Sequence, residues 1–140
     1  MQKNIYEILN EFSQARYKDE RQNILRKYAT PHFLKVLKYT FDPTIEFYVK
    51  EFPEDYQKPD TFPGLRYAGI ESEIRRAYLF IKGDPTADKL TPQKRHKLLL
   101  ELLESFEYDE AKVFINMMQK DLKTAHLTKN LVKETFPNLF

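Results

Sequence analysis

The 140-residue chain has no cysteine, which excludes disulfides and thiolate metal ligands and fits an intracellular home. No run of about 18 apolar residues occurs, the length that a membrane-spanning helix needs. The start, MQKNIYEILNEF, has no apolar stretch of signal-peptide length. A soluble, cytoplasmic protein without a membrane partner is therefore expected. Alternating strand patterns of useful length, internal repeats and low-complexity tracts are also missing. Neither sign of charge dominates: the formal net charge is only +2, so any anion site must be local rather than a property of the whole field.

What remains is globular and helical. Hydrophobic residues make up 41% and charged residues 31% of the chain, and nine tyrosines and eleven phenylalanines supply much of the burial. The length suits one domain, residues 1–140, with a single core. Ile5, Ile8, Leu9 and Phe12 fall at helical spacing, and Ile24, Leu25 and Tyr28 suggest a second helix. Three starts place proline at the first helical position: Thr30-Pro31, Asp42-Pro43 (opening PTIEFYVKEF) and Thr91-Pro92. FPEDYQKPDTFPGLRYAG, with three prolines and two glycines, predicts a long irregular connection. IESEIRRAYLFI resumes the helical period and KGDPTAD interrupts it. Ala111, Phe114, Ile115, Met118 and Leu122 mark a helix opened by Asp109, and a last helix near Thr128 to Thr135 stops before Phe136-Pro137. The fold class is all-α, an irregular bundle of about seven or eight short helices.

Little in the chain asks for catalysis. Lys82-Gly83-Asp84-Pro85 approaches the K-x-D-G nucleophile motif of nucleotidyltransferases, but proline replaces the glycine and the match sits in a break between helices. His32, His96 and His126 are scattered and lack metal-ligand spacing, and no nucleophile elbow is present. Glu71 with Glu73, and Asp109 with Glu110, read as helix-start charges favoured by the dipole. No catalytic residue, cofactor or metal is expected.

The basic residues are more informative. In LTPQKRHKLLLELLESF, residues 90–106, Thr91 is the N-cap, yet the first turns carry Lys94, Arg95, His96 and Lys97 while Glu101, Glu104 and Glu107 lie toward the far end. That order opposes the macrodipole, at roughly 0.3–1 kcal/mol per misplaced charge. It does suit a helix start that binds phosphate, where unpaired backbone N–H groups and added lysines act on one spot. A second run, KDLKTAHLTKNLVK, sets Lys120, Lys123, Lys129 and Lys133 beside the hydroxyls of Thr124 and Thr128, and such groups make phosphate contacts. A solvated charged face is the competing reading for either run.

Taken in order, ILNEF, LKYTFDPTIEFYVKEFP, LTPQKRHKLLLELLESFEYDEAKVFINMMQKDLK and LVKETFPNLF resemble the N-terminal DNA-binding domain of ATP-dependent DNA ligases, closest to the T-even bacteriophage type. The likeness spans almost the whole chain. It implies the all-α ligase DNA-binding fold, which grips duplex DNA across the minor groove beside a nick, and hence a role in DNA replication and repair, in the host cytoplasm if phage-encoded. The family's helix-cap hydroxyl falls on Thr91, its lysines on Lys94, Arg95 and Lys97, and its later basic residue on Lys123. Where ligases usually have glycine two positions further on, this chain has Ala125, with Thr124, His126 and Thr128 as substitutes. The ligase nucleotidyltransferase domain and its lysine are absent from the sequence, which leaves an excised ligase fragment and a stand-alone protein both open.

The expectation is a non-catalytic module for duplex or nicked DNA, with Thr91, Lys94, Arg95, Lys97, Lys123, Thr124, Thr128, Lys129 and Lys133 at the interface. The alternative is a protein-interaction domain that reuses the ligase fold to bind a replication, transcription or host protein. In that alternative the tail residues Phe136, Leu139 and Phe140 could serve as a partner peptide; packing of that tail onto the bundle is the favoured reading.

Overall fold

A computed structural model describes residues 3–49 and 69–140. Among these residues there are eight α-helices and no strands: α1 (Ile5–Gln14), α2 (Lys18–Lys27), α3 (Pro31–Phe41), α4 (Ile70–Glu73), α5 (Pro85–Asp88), α6 (Pro92–Ser105), α7 (Tyr108–Met118) and α8 (Lys129–Thr135). A 3-10 stretch, Ile74–Phe80, continues directly from α4. The all-α bundle anticipated from periodicity is the observed architecture. Most of the connection anticipated over residues 52–69 lies outside the described residues.

Local chemistry explains most helix starts. Thr30 and Thr91 each accept a hydrogen bond from the backbone N–H three residues on, of Phe33 and Lys94, with proline at the first helical position. Thr128 caps α8 through the N–H of Leu131. Such caps contribute about 1 kcal/mol each. At α1, Asn4 and Glu7 form a capping box.

One anticipated helix is absent. Asp42-Pro43 does not open a helix through residues 43–49. Instead the Asp42 carboxylate accepts hydrogen bonds from the backbone N–H (2.9 Å) and hydroxyl (2.7 Å) of Thr44, and Ile45 N–H donates to the Asp42 carbonyl. This turn leads into an isolated antiparallel bridge between Phe47 and Ile81, where Tyr48 N–H donates to Phe80 O and Lys82 N–H to Glu46 O. Proline at the first position permits a helix there, but the long-range bridge takes the backbone groups that a helix would use.

The core gathers six phenylalanines, Phe12, Phe33, Phe47, Phe80, Phe106 and Phe114, all essentially inaccessible to water. α7 lies centrally, packed on α3 and α1, while α2 packs on α1 and α8. Ala111, Val113, Phe114, Met117 and Met118 bury the inner face of α7. The helix ends at Met118, so Leu122 reaches the core from the following loop.

The C-terminal segment closes the bundle. Phe136, Leu139 and Phe140 are partly buried against the core, and Leu139 N–H donates to the Phe136 carbonyl. A fully buried side chain of this size contributes roughly 1.5–3 kcal/mol, and partial burial of three gives about 3 kcal/mol together. Deleting residues 136–140 is expected to lower the melting temperature by roughly ten degrees, read by circular dichroism; unchanged melting would mean that the tail contributes nothing to the fold.

Candidate nucleic-acid interface

The first basic run is divided by the fold. α6 begins where its cap chemistry places it, and its first turn contains no acidic residue. Thr91, Lys94 and Lys97 are exposed. Neither lysine forms an ion pair with a described residue, so the unfavourable order of charge along α6 is not repaid by a neighbouring carboxylate. Arg95 differs from the solvent-facing cation expected. It is half-buried, its Nη2 donates to the carbonyls of Ala87 (3.0 Å) and Leu90 (3.2 Å), and its guanidinium stacks on the Tyr48 ring at 3.9 Å from the centroid. Tyr48 in turn donates its hydroxyl proton to Asp88. Arg95 thus seats the start of α6 on α5 and on the bridge, and presents Lys94 and Lys97 rather than itself.

Lys82-Gly83-Asp84-Pro85 is the interhelical turn that its proline suggested. Gly83 has φ +94°, a conformation that glycine adopts without strain. Asp84 caps α5 by accepting from the N–H groups of Thr86 and Ala87, and Lys82 pairs with Glu46 at 3.0 Å.

The second run surrounds the loop between α7 and α8. Lys123, Lys129 and Lys133 are exposed, as is Thr128, whereas Thr124 is half-buried with its hydroxyl donated to the Leu122 carbonyl (3.1 Å). Lys133 lies over the Phe140 ring at 5.9 Å. Three residues of this loop have positive φ without being glycine: Lys120 (65°), Lys123 (52°) and His126 (67°). Ala125, the position where ligases usually carry glycine, is not among them.

Lys120 leaves the basic run altogether. It follows the C-cap of α7, and the N–H groups of Lys120 and Asp121 donate to the carbonyls of Met117 and Asn116, the paired bonds of a Schellman ending whose left-handed residue is usually glycine. Its ammonium turns inward and donates to the carbonyls of Tyr39 (2.7 Å), Asp42 (2.8 Å) and Ile45 (2.8 Å). Burial lowers its pKa from the ordinary lysine value, opposed by the Asp42 carboxylate. The positive charge lies at the C-terminal end of α3, where exposed carbonyls favour a cation.

Glu110 lies in the first turn of α7, as expected of a helix-start charge, but it faces inward. It is 1% exposed. Its Oε1 accepts from the N–H groups of Ile5 (3.3 Å) and Ile70 (3.4 Å), and its Oε2 from that of Tyr6 (3.0 Å). One carboxylate from α7 thereby closes the N-terminal ends of both α1 and α4. Burial raises its pKa above the ordinary 4.5, while those three N–H bonds pull it back and nearby Glu107 pushes it further up.

Among the described residues no group of three or more histidine, aspartate or glutamate side chains is placed to hold a metal ion, and no helix is long and apolar enough to cross a membrane. Residues 8–124 match a family described as a family of unknown function, DUF6433. The chain belongs to that family. The matched region takes in α6, α7 and the first half of the following loop, so Thr91, Lys94, Lys97, Glu110 and Lys120 all lie within the DUF6433 region, while Thr128, Lys129 and Lys133 lie beyond it. No curated protein matches the chain.

The two basic runs rest on different neighbours. Arg95 ties the first to α5 and Tyr48, and the Lys18–Glu134 ion pair at 2.6 Å ties α8, in the second, to α2.

Proposed function

We propose that the protein is a non-catalytic duplex DNA-binding module, built like the DNA-binding domain of ATP-dependent ligases, that contacts the sugar-phosphate backbone. The observation that carries this reading is the start of α6. A capped helix of 14 residues presents Lys94 and Lys97 to solvent at its positive end with no acidic residue in its first turn. Such an arrangement costs stability in the isolated protein and gains it when a phosphate arrives. Lys123 and Lys129, both exposed, add further contacts on the second run. Arg95 acts as a positioning residue, since its guanidinium is held by Ala87, Leu90 and Tyr48.

Phosphate contacts carry little sequence information, so affinity should follow charge and salt. Changing Lys94 and Lys97 together to Glu is expected to weaken nicked and intact duplex alike. It should also reduce the slope of log K against log salt by about two, one for each phosphate that is no longer neutralised. Fluorescence titrations at several salt concentrations measure both. Unchanged affinity and slope would take the α6 start out of the interface and leave the protein-interaction alternative ahead.

A further inference from the structure

The packing of α2 on α8 creates a cleft of about 300 Å³ lined by Lys18, Arg21, His126, Thr128, Asn130 and Glu134. Among the described residues that line it, the one carboxylate, Glu134, is already neutralised by Lys18 at 2.6 Å. The Arg21 guanidinium is anchored by its Nη2, which donates to the carbonyls of Ala15 and Arg16 at 3.3 Å each. His126 is set at the rim by a left-handed backbone, φ 67°, in a turn closed by the Leu127 N–H bond to Thr124 O. The cleft therefore combines a fixed guanidinium charge with a hydroxyl, a primary amide and an imidazole from a second element. That is a donor set suited to a tetrahedral oxyanion, because a pre-positioned guanidinium loses little freedom on binding. None of these groups is needed to neutralise a buried acid.

We propose that this cleft is a phosphate site, with Arg21, His126, Thr128 and Asn130 as its donors. The further assignment of that phosphate to the backbone of duplex DNA rests on the function proposed above. It would extend the second basic run from Lys123 and Lys129 across to α2, and bring Lys18 and Arg21 into an interface that basic residues of α8 alone would not define.

The test uses the full chain and Asn130→Asp. Asn130 is exposed and is the second residue of α8, where a carboxylate suits the helix dipole, so the variant should melt no lower than the parent while placing a negative charge in the cleft. Inorganic phosphate, added at constant ionic strength against a chloride control, is expected to shift the backbone amide resonances of His126 and Asn130 saturably. Asn130→Asp should weaken that binding at least about tenfold, the loss expected for a hydrogen bond to a charged group. A non-saturable shift, or one equal in the variant, overturns the phosphate site. A short duplex is the second arm. Duplex that moves the same amides and competes with phosphate supports the assignment to DNA. Duplex that binds through α6 and leaves these amides unmoved removes the cleft from the DNA interface, and duplex that does not bind at all overturns the DNA reading while the phosphate site stands on its own arm.

Discussion

Replacing Glu110 by Ala is expected to destabilise the protein by about 4 kcal/mol, because three backbone N–H groups from two helices lose their acceptor together and a buried donor left unpaired costs about 1–3 kcal/mol. The sum is tempered by water that can enter the space vacated and by the charge whose burial is no longer needed. For a chain of this length the melting temperature should fall by roughly ten to fifteen degrees. Glu110→Gln should fall between: its single oxygen can replace Oε1 and retain Ile5 and Ile70, but its amide nitrogen then faces the N–H of Tyr6, donor against donor. The pH dependence has a definite sign. A carboxyl whose folded-state pKa is raised contributes stability that is fully present below the unfolded value near 4.5 and is lost as pH rises through the folded one. Glutamine does not titrate, so the deficit of Glu110→Gln relative to the parent should be larger on the acid side of that window than at neutral pH. Urea titrations of both proteins at the two pH values measure this, and a deficit that shrinks on acidification would contradict it.

The second large effect is expected at Lys120, where two contributions of opposite sign can be separated by choice of residue. Its ammonium makes three bonds to carbonyls at the end of α3 and in the turn that follows it, and bonds to a charged group contribute roughly 1.5–3 kcal/mol each, less than additively when shared by one donor. Its left-handed backbone costs about 1 kcal/mol in any residue with a Cβ. Lys120→Ala keeps the cost and removes the bonds, and should destabilise by about 3 kcal/mol. Lys120→Gly removes the same bonds but relieves the backbone, and should be more stable than the alanine variant by about 1 kcal/mol. Equality of the two would show that the backbone is not strained, and an alanine variant as stable as the parent would show that the ammonium contributes nothing.

These two side chains also mark where the sequence was readable and where it was not. Thr30-Pro31 and Thr91-Pro92 could be recognised as helix starts because their caps act over three residues. Asp42-Pro43 has the same local appearance, but the carbonyl that would begin its helix is tied to Lys120, 78 positions away. Glu110 carries the spacing of an ordinary first-turn acid, and nothing nearby announces partners at Ile5 and Ile70. In the candidate interface, Lys94 and Lys97 could be anticipated as exposed from the inverted charge order of α6. The inward turn of Arg95 depends on Tyr48 and on α5, and so was invisible to local pattern. The cleft that Lys18 and Arg21 line is not legible in the sequence because α2 meets α8 only through the tertiary fold. Their one local trace is the charge density of KDERQNILRK, which reads equally as a solvated face.

The single carboxylate shared by α1 and α4 has a kinetic consequence. Helices that end in solvent fray independently, each turn opening and closing on its own account. Here the first turn of α1 and the first turn of α4 are separated by some 65 residues of chain yet hang on the same two oxygen atoms. Any fluctuation that withdraws Glu110 releases both at once, so a disturbance at Ile70 is felt at Ile5 without passing through the backbone between them.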